Sequence, residues 1–210
     1  MVDNAPQNTS CLGVILAGGQ AARLGDQARG GDKCLIEIGG APLLAHVLAR
    51  LRPQVAETVL SANGDPARFK AYGVEVVADA EPGQGPLAGL ISGLVEAERR
   101  GLPFCLTVPG DAPLLPHDLA ARLFAAIGER HCAVAMSGDQ RQSVFALWRT
   151  AALAPMHDLY RDGTRALWRA QQALGTAEAS FAPDDADSFA GLNRPEDRTA
   201  LATALIRAGR

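Results

Sequence analysis

The hydrophobic positions in the first half of the chain follow two spacings in alternation. Four short, mostly apolar runs predict strands, and the first of them is a continuous apolar run that suggests a strand buried on both faces of a sheet. Between these runs, apolar residues recur every three or four positions, as they do on the buried face of a helix. The predicted strands span residues 12–16, 58–60, 74–78 and 104–108, and the predicted helices span residues 43–51, 87–95 and 116–127. This alternation implies parallel crossovers and therefore an α/β fold, a doubly wound three-layer α/β/α sandwich with a mostly parallel sheet.

The second half of the chain has a less regular pattern. It contains two further strand-like runs, two helical segments and a last helix that Pro195 is expected to open. These elements span residues 132–136, 144–148, 151–160, 164–174 and 195–207. Neither half shows an internal repeat or a linker, so we expect one domain over residues 12–210, preceded by a flexible segment at residues 1–11.

Composition and charge narrow the class of protein. The 210 residues are 48% hydrophobic and 20% charged, as in an ordinary globular domain, and the formal net charge of −3 gives no electrostatic reason to expect a nucleic-acid or membrane partner. No window approaches the roughly 18 apolar residues that a membrane span requires. The polar N-terminus lacks the basic start and the apolar stretch of a signal peptide, so we expect a soluble, cytoplasmic protein.

The cysteines and histidines carry no predicted chemistry. The four cysteines are Cys11, Cys34, Cys105 and Cys132, and they lie too far apart in sequence for a Cys-x₂₋₄-Cys metal clip. Disulfides are not expected, and Cys105 and Cys132 fall within apolar strands, where we expect small buried thiols. The four histidines are scattered along the chain, and we interpret them as structural or surface residues.

A glycine-rich loop follows the first predicted strand. In an open parallel sheet, ligands bind outside the carboxyl ends of the strands, where glycines let backbone N–H groups approach a phosphate or a base. Gly18 and Gly19 stand at this point, and Arg23 and Lys33 in the same loop can neutralise a triphosphate. Neither Gly-x-Gly-x-x-Gly nor Gly-x-x-x-x-Gly-Lys-Ser/Thr occurs here, which counts against a dinucleotide-dependent oxidoreductase and a P-loop kinase.

Two aspartates follow predicted strands at the same edge of the sheet. Asp79 comes directly after the strand at residues 74–78, and Asp111 follows the strand at residues 104–108. Either aspartate alone fits a turn or a helix cap. Together, beside the glycine loop and Lys33, they supply the hard oxygen ligands that a magnesium–triphosphate complex requires. The sequence therefore favours a Mg²⁺–nucleotide site at this edge.

The order and spacing of these motifs resemble those of the molybdenum cofactor guanylyltransferases. The resemblance spans residues 12–196. The segments that carry it are Leu16-Ala17-Gly18-Gly19, Arg23-Leu24-Gly25, Asp32-Lys33, Gly85-Pro86-Leu87-Ala88-Gly89, Pro109-Gly110-Asp111 and Leu192-Asn193-Arg194-Pro195-Glu196. It implies a Rossmann-like nucleotidyltransferase that transfers GMP from GTP to molybdopterin, forming the guanine dinucleotide form of the cofactor and releasing pyrophosphate.

The resemblance also implies roles for individual residues. Residues 12–128 would form the nucleotide-binding half and residues 129–210 the acceptor-binding half, with Asn193 on the pterin side. The residues that would contact the nucleotide or shape its base pocket are Leu16, Ala17, Gly18, Gly19, Lys33, Asn63, Asp79, Pro86, Leu87, Gly89 and Asp111.

The chemistry implied by the resemblance needs no enzyme nucleophile. A terminal phosphate of the acceptor can itself attack the α-phosphorus, in line with the departing pyrophosphate, so the protein has only to position the substrates and neutralise charge. We expect Asp111 to hold Mg²⁺ and Lys33 and Arg23 to stabilise the charge that develops on the phosphates. Transient contacts with the proteins that supply molybdopterin and receive the product are also expected.

Three segments depart from the family pattern, and several functions stay open. The loop between Gly19 and Lys33 is longer than usual, Gln142-Ser143-Val144 stands where His-Pro is expected before a strand, and Gly191-Leu192-Asn193 replaces Asn-x-Asn. The alternatives are a cytidylyltransferase for the same pterin, a sugar-phosphate nucleotidyltransferase and, from another class, a non-catalytic guanine-nucleotide-binding module. Gly-Gly rather than Ala-Gly after Ala17 favours guanine, because a second glycine admits a bulkier purine edge.

Overall fold

Short apolar runs along the chain pair into one seven-stranded sheet. The structure, a computed structural model, describes residues 10–17, 31–79, 85–182 and 188–208. The strands of the sheet are β1 (Cys11–Leu16), β4 (Glu57–Ser61), β5 (Glu75–Val77), β6 (Phe104–Pro109), β7 (Cys132–Ser137), β8 (Gln140–Arg149) and β9 (Thr176–Phe181). A separate two-stranded hairpin consists of β2 (Glu37–Ile38) and β3 (Ala41–Pro42).

The amphipathic segments between the strands form helices that end at the expected punctuation. In α2 (Pro86–Arg99), Pro86 occupies the first turn, where a missing N–H costs nothing. The chain turns away at Gly101, whose φ of 69° favours glycine. The other α-helices of the described residues are α1 (Leu43–Leu51), α3 (Leu119–Ile127), α4 (Leu153–Arg161), α5 (Leu167–Leu174) and α6 (Asp197–Ala208), with 3₁₀ turns at Lys33–Leu35, Arg52–Gln54, Pro66–Tyr72 and Thr150–Ala152.

The strand order is β5-β4-β1-β6-β8-β7-β9. The first four strands in this order are parallel, so their carboxyl ends lie at one edge of the sheet. β8 runs antiparallel to both of its neighbours, and β9 returns parallel to β7. The sheet therefore joins both halves of the chain, with β1 and β6 at its centre.

Helices cover both faces of the sheet and form two main apolar clusters. One cluster contains the buried faces of α1 and α3, and the other contains those of α2, α4 and α5. A third, smaller cluster packs α6 against the β2–β3 hairpin and the loop after β6, through Leu201, Ile38 and Leu114. The predicted three-layer α/β/α sandwich with a mostly parallel sheet is confirmed.

Several elements differ from the sequence-based expectation. β9 and the β2–β3 hairpin were not predicted, because their short, mixed polar sequences lack a continuous apolar run. β8 begins at Gln140 rather than at Val144, since hairpin pairing with β7 orders its polar end. The predicted helix at residues 116–127 begins at Leu119, and the one at residues 164–174 begins at Leu167.

Two further expectations from the sequence concern the state of the cysteines and the lengths of the helices. The four cysteines are free and buried, as expected for Cys105 and Cys132, and burial raises the pKa of the Cys105 thiol. Within the described ranges, no helix has the length and apolar character needed to cross a membrane.

Candidate active site

The carboxyl ends of the parallel strands open onto a cavity of about 470 Å³, called here the main cavity. Its size falls within the roughly 300–1,000 Å³ typical of small-molecule sites. Of the described residues that line it, only Val144 comes from the second half of the chain. The lining residues are Leu16, Ala17, Lys33, Cys34, Ser61, Asn63, Asp79, Gly85, Pro86, Gly89, Pro109, Asp111 and Val144.

An ion pair between Lys33 and Asp111 forms one wall of the main cavity. Lys33 Nζ lies 2.5 Å from Asp111 Oδ2, and each side chain is 17% exposed. Lys33 Nζ also donates a hydrogen bond of 3.0 Å to Asn193 Oδ1, across 160 positions of sequence. Lys33 therefore joins the end of the glycine loop to the end of β6 and to the segment before α6.

A second carboxylate in the main cavity is held by hydrogen bonds from its neighbours. Asp79 Oδ1 accepts a hydrogen bond of 2.7 Å from Ser61 Oγ, and Asp79 Oδ2 accepts one of 2.9 Å from Asn63 Nδ2. The backbone N–H of Asp79 donates to Asn63 Oδ1 at 3.1 Å. Two hydrogen bonds to the carboxylate and one from the backbone N–H thus fix Asp79 near the ends of β4 and β5, and the carboxylate keeps further lone pairs that can accept from a ligand.

Arg68 connects the two groups of polar residues. Its guanidinium forms an ion pair with Asp32, the residue before Lys33, and donates a hydrogen bond of 2.5 Å to the Asn63 carbonyl oxygen. Both side chains of the ion pair are largely buried, at 24% and 15% exposure. Arg68 thereby holds the Lys33 segment against the Asn63 turn, although it does not itself line the main cavity.

The N-terminus of α2 forms another wall of the main cavity. Gly85 precedes this helix with a φ of 83°, and Pro86 and Gly89 line the cavity one helical turn apart. A Cβ at Gly89 would lie 2.6 Å from Ser61 Oγ and 3.0 Å from Leu16 Cδ2, so a side chain here would disturb the hydroxyl that positions Asp79. The unpaired N–H groups and the dipole of a helix N-terminus favour a negatively charged ligand.

A second cavity of about 420 Å³, the side cavity, adjoins the same ion pair. Asn193, the hydrogen-bond partner of Lys33, lines it. So does Gly191, where a Cβ would lie 3.3 Å from Asp111 Oδ1. The lining residues are Ser137, Gln140, Gln142, Phe189, Ala190, Gly191, Asn193, Arg194, Glu196 and Asp197. Lys33 and Asp111 therefore line the main cavity and lie next to Asn193 and Gly191, which line the side cavity.

The oxygen donors of the main cavity fit a hard divalent cation that is bound together with phosphates. Asp111 presents a partly exposed carboxylate to the cavity, and one or two carboxylates plus phosphate and water oxygens are a usual Mg²⁺ environment. No group of three or more His, Cys, Asp and Glu side chains in the described residues could hold a metal ion. A cation at Asp111 would therefore depend on ligands supplied by the substrate.

Most of the residues named from sequence lie around the main cavity. Leu16, Ala17, Lys33, Asn63, Asp79, Pro86, Gly89 and Asp111 line it, whereas Asn193 lines the side cavity. Leu87 lines neither, because it faces the sheet from α2 and is fully buried in the core. Gly18, Gly19 and Arg23 lie outside the described residues.

Sequence reasoning missed five residues that line the main cavity, namely Cys34, Ser61, Gly85, Pro109 and Val144. Ser61 and Pro109 are the last residues of β4 and β6, so the strand-end rule applied to them as well. Burial raises the pKa of the Cys34 thiol to about 12, so Cys34 contributes a neutral wall rather than a nucleophile. Val144 has no comparable signal in the sequence.

Comparison with known proteins places this arrangement in a family. Residues 13–177 match the family model described as the MobA-like NTP transferase domain. The molybdenum cofactor guanylyltransferase of Cereibacter sphaeroides is 42% identical over 93% of this chain and 97% of its own length. That of Bradyrhizobium sp. (strain ORS 278) is 41% identical over 90% of each chain. These findings confirm the resemblance drawn from the sequence motifs.

A solved structure supports the fold independently. The molybdopterin-guanine dinucleotide biosynthesis protein A from Archaeoglobus fulgidus superposes with a TM-score of 0.71, over 94% of this chain and 99% of its own. Its sequence is 19% identical to this chain, so the likeness concerns the fold.

Proposed function

The chain belongs to the molybdenum cofactor guanylyltransferase family, and we propose that it transfers the GMP part of GTP to molybdopterin, forming molybdopterin guanine dinucleotide and pyrophosphate. The observation that carries the proposal is the position of the Lys33–Asp111 ion pair, which lines the main cavity and lies next to two residues of the side cavity, Asn193 and Gly191. A transferase of this kind has to hold two phosphorylated substrates with their phosphates in contact. An ion pair at the junction provides charged groups at that point.

The main cavity suits the nucleotide. The N-terminus of α2 and the ammonium group of Lys33 favour the negative phosphates, while the Asp79 carboxylate accepts hydrogen bonds from donors on a base or a ribose. The side cavity suits the acceptor, because it borders Asp111 through Gly191 and Lys33 through Asn193. Its lining is polar and includes amide and charged side chains that can bind a pterin and its phosphate.

The reaction is a displacement at the α-phosphorus of GTP. A terminal phosphate oxygen of molybdopterin forms the new bond to the α-phosphorus, and the bond from that phosphorus to the pyrophosphate oxygen breaks. Lys33 neutralises negative charge on the phosphates, and Asp79 and the N-terminus of α2 orient the nucleotide. A Mg²⁺ ion bound at Asp111 would supply further neutralisation of the triphosphate. The protein forms no covalent intermediate in this scheme.

The Lys33–Asp111 pair has a direct consequence for substrate binding. With no nucleotide present, the ammonium group of Lys33 neutralises the carboxylate of Asp111. Asp111 would hold a Mg²⁺ ion that enters with the triphosphate, and the ammonium group of Lys33 would then be available to pair with the phosphate oxygens. The exchange keeps both groups paired and avoids leaving a partly buried charge without a partner.

The test is pyrophosphate release from GTP, CTP, ATP and UTP in parallel, each with Mg²⁺ and molybdopterin. We expect release with GTP alone, dependent on molybdopterin and abolished by a chelator. A preference for CTP would overturn the choice of base and leave the reaction type in place. If GTP raises the melting temperature of the protein but no nucleotide yields pyrophosphate, the chain binds the nucleotide without this transfer.

A further inference from the structure

A break in the sheet lies at the boundary between the two cavities. Along the antiparallel β7–β8 ladder, Val134 pairs with Ala146, but the next residue, Ala135, pairs with Gln142. Residues 143–145 are therefore left out of the ladder and form a three-residue bulge. Bulges re-aim side chains and are common next to active sites.

The 143–145 bulge carries the chain from one cavity to the other. Gln142 lines the side cavity, whereas Val144 lines the main cavity. On a regular strand, residues two apart point to the same face. Because of the bulge, the two side chains instead face different cavities. Val144 thus belongs to the wall of the main cavity and lies only two residues after a residue that lines the side cavity.

Buried side chains fix the backbone of the 143–145 bulge from two directions. From β6, Thr107 Oγ1 lies 2.7 Å from the carbonyl oxygen of Val144 and 3.2 Å from that of Ala146. From α5, Gln171 Nε2 donates a hydrogen bond of 2.8 Å to the carbonyl oxygen of Ser143. Thr107 and Gln171 are both 0% exposed. The position of Val144 is therefore set by the core rather than by solvent.

Gln171 is not the residue that stability alone would favour at this position. Its side chain is fully buried, and its Oε1 accepts no hydrogen bond from any described residue. A buried amide oxygen without a partner costs free energy that an apolar side chain of the same size avoids. The hydrogen bond to Ser143 is the contact that an apolar side chain could not make, and it acts on the bulge.

We propose that Val144 is a specificity-determining residue for the acceptor and that Gln171 is the positioning residue that holds Val144 in place. The inference rests on the proposed function, in which the side cavity takes the acceptor. The methyl groups of Val144 limit how far the phosphate-bearing end of a pterin acceptor advances toward the α-phosphorus. Changes at Val144 and Gln171 should therefore affect the acceptor more strongly than they affect GTP.

The first experiment replaces Val144 by a larger and by a smaller residue. For Val144→Phe, we expect the KM for molybdopterin to rise about tenfold or more, because a misplacement of about 1 Å is enough to disturb the attack geometry. Because Val144 also lines the main cavity, the Kd for GTP, measured directly with Mg²⁺ and without acceptor, should rise by a smaller factor than the KM for molybdopterin. For Val144→Ala, we expect kcat to fall by a larger factor than that Kd changes. An effect of either variant on the Kd for GTP that equals or exceeds its effect on the acceptor kinetics would make Val144 a nucleotide contact and overturn the inference.

The second experiment replaces Gln171 by Met, with Gln172→Met as the matched control. Gln172 is the exposed neighbour on the same helix. We expect Gln171→Met to keep a melting temperature at or above that of wild type and to lower kcat/KM for molybdopterin about tenfold, with GTP binding unchanged. Gln172→Met should leave all three quantities unchanged. A lower melting temperature with parallel losses of GTP binding and turnover would make Gln171 merely structural.

These outcomes separate the inference from the proposed function. If wild-type protein releases no pyrophosphate from GTP and molybdopterin, the proposed function is wrong. If wild-type protein does so, and the Val144 and Gln171 variants share its acceptor kinetics, the proposed function stands and the inference about the 143–145 bulge is wrong.

Discussion

Two charged clusters lie at opposite ends of the parallel strands, and they serve different purposes. At the carboxyl ends, Lys33 and Asp111 form a single pair that lines the main cavity and lies next to residues of the side cavity. At the amino ends, Arg100 bonds to three glutamates, which lie at the start of β4, the start of β5 and within α2. These partners are Glu57, Glu75 and Glu96.

The surroundings of the two clusters explain the difference. Arg100 is 14% exposed and shares its guanidinium among carboxylates from three elements, so it ties the end of α2 to the edge of the sheet. None of its three partners lines the main or the side cavity. The Lys33–Asp111 pair involves one cation and one carboxylate beside space for a ligand, so a substrate can exchange partners with it. Ion pairing alone therefore does not identify a site, whereas ion pairing at a cavity junction does.

The largest expected effect is on catalysis at the cavity junction. Replacing Asp111 by Asn removes the charge that holds a cation, and we expect kcat to fall by at least about 10³-fold. The matched control is Glu75→Gln, which neutralises an ion-paired carboxylate of the other cluster and should leave kcat unchanged. Steady-state pyrophosphate release measures both. Retention of the wild-type rate by the Asp111 variant would contradict the metal assignment.

An intermediate effect is expected on stability at the opposite end of the strands. Arg100→Met leaves three carboxylates without their shared cation, and we expect the free energy of unfolding to fall by about 2 kcal/mol. Arg99→Met is the control, because Arg99 is 65% exposed and solvent screens its pairing with Glu96, so the loss should be smaller than in the Arg100 variant. Urea unfolding measures both, and the rate of pyrophosphate release should not change in either variant. An equal loss of unfolding free energy in the two variants would mean that sharing the Arg100 guanidinium among three glutamates adds no stability.

The smallest expected effect is the acid dependence of stability that Glu96 contributes. The hydrogen bond from Arg99, with further help from Arg100, lowers the pKa of Glu96 from 4.5 to about 2, although burial opposes the shift. Because the pKa is lower in the folded state, the ionised carboxylate stabilises the fold above about pH 4.5, and this contribution is lost as the pH falls toward about 2. Because Arg99 is exposed, solvent screens its interaction with Glu96. This limits the contribution of Glu96 to stability to about 1 kcal/mol.

The control for this acid dependence is Glu96→Gln, which cannot titrate. Urea midpoints at pH 5 and pH 3 should show a smaller loss of stability in this variant than in wild type. The same slope in both proteins would show that the depressed pKa of Glu96 has no bearing on folding.

The sequence predicted the site residues that follow the parallel strands but missed residues of the site that lie elsewhere. Asp79 and Asp111 were found because each follows an apolar run, and parallel strands bring their carboxyl ends to one edge whatever the details of packing. Val144 was not found, since a bulge is a mismatch between two strands and leaves no periodic signal in either. Arg68 was missed for a related reason, because it acts on Asp32 and Asn63 from a 3₁₀ turn that has no apolar pattern.

The sequence by itself determined the layer architecture, the family and the residues that follow the parallel strands, because these depend on local periodicity and on motifs a few residues long. Only the tertiary structure decided how the second half completes the site. The contact between Lys33 and Asn193 spans 160 positions, and the support of Ser143 by Gln171 depends on how α5 packs against β8. Such contacts arise from the packing of elements that are far apart in the chain, so no local pattern encodes them.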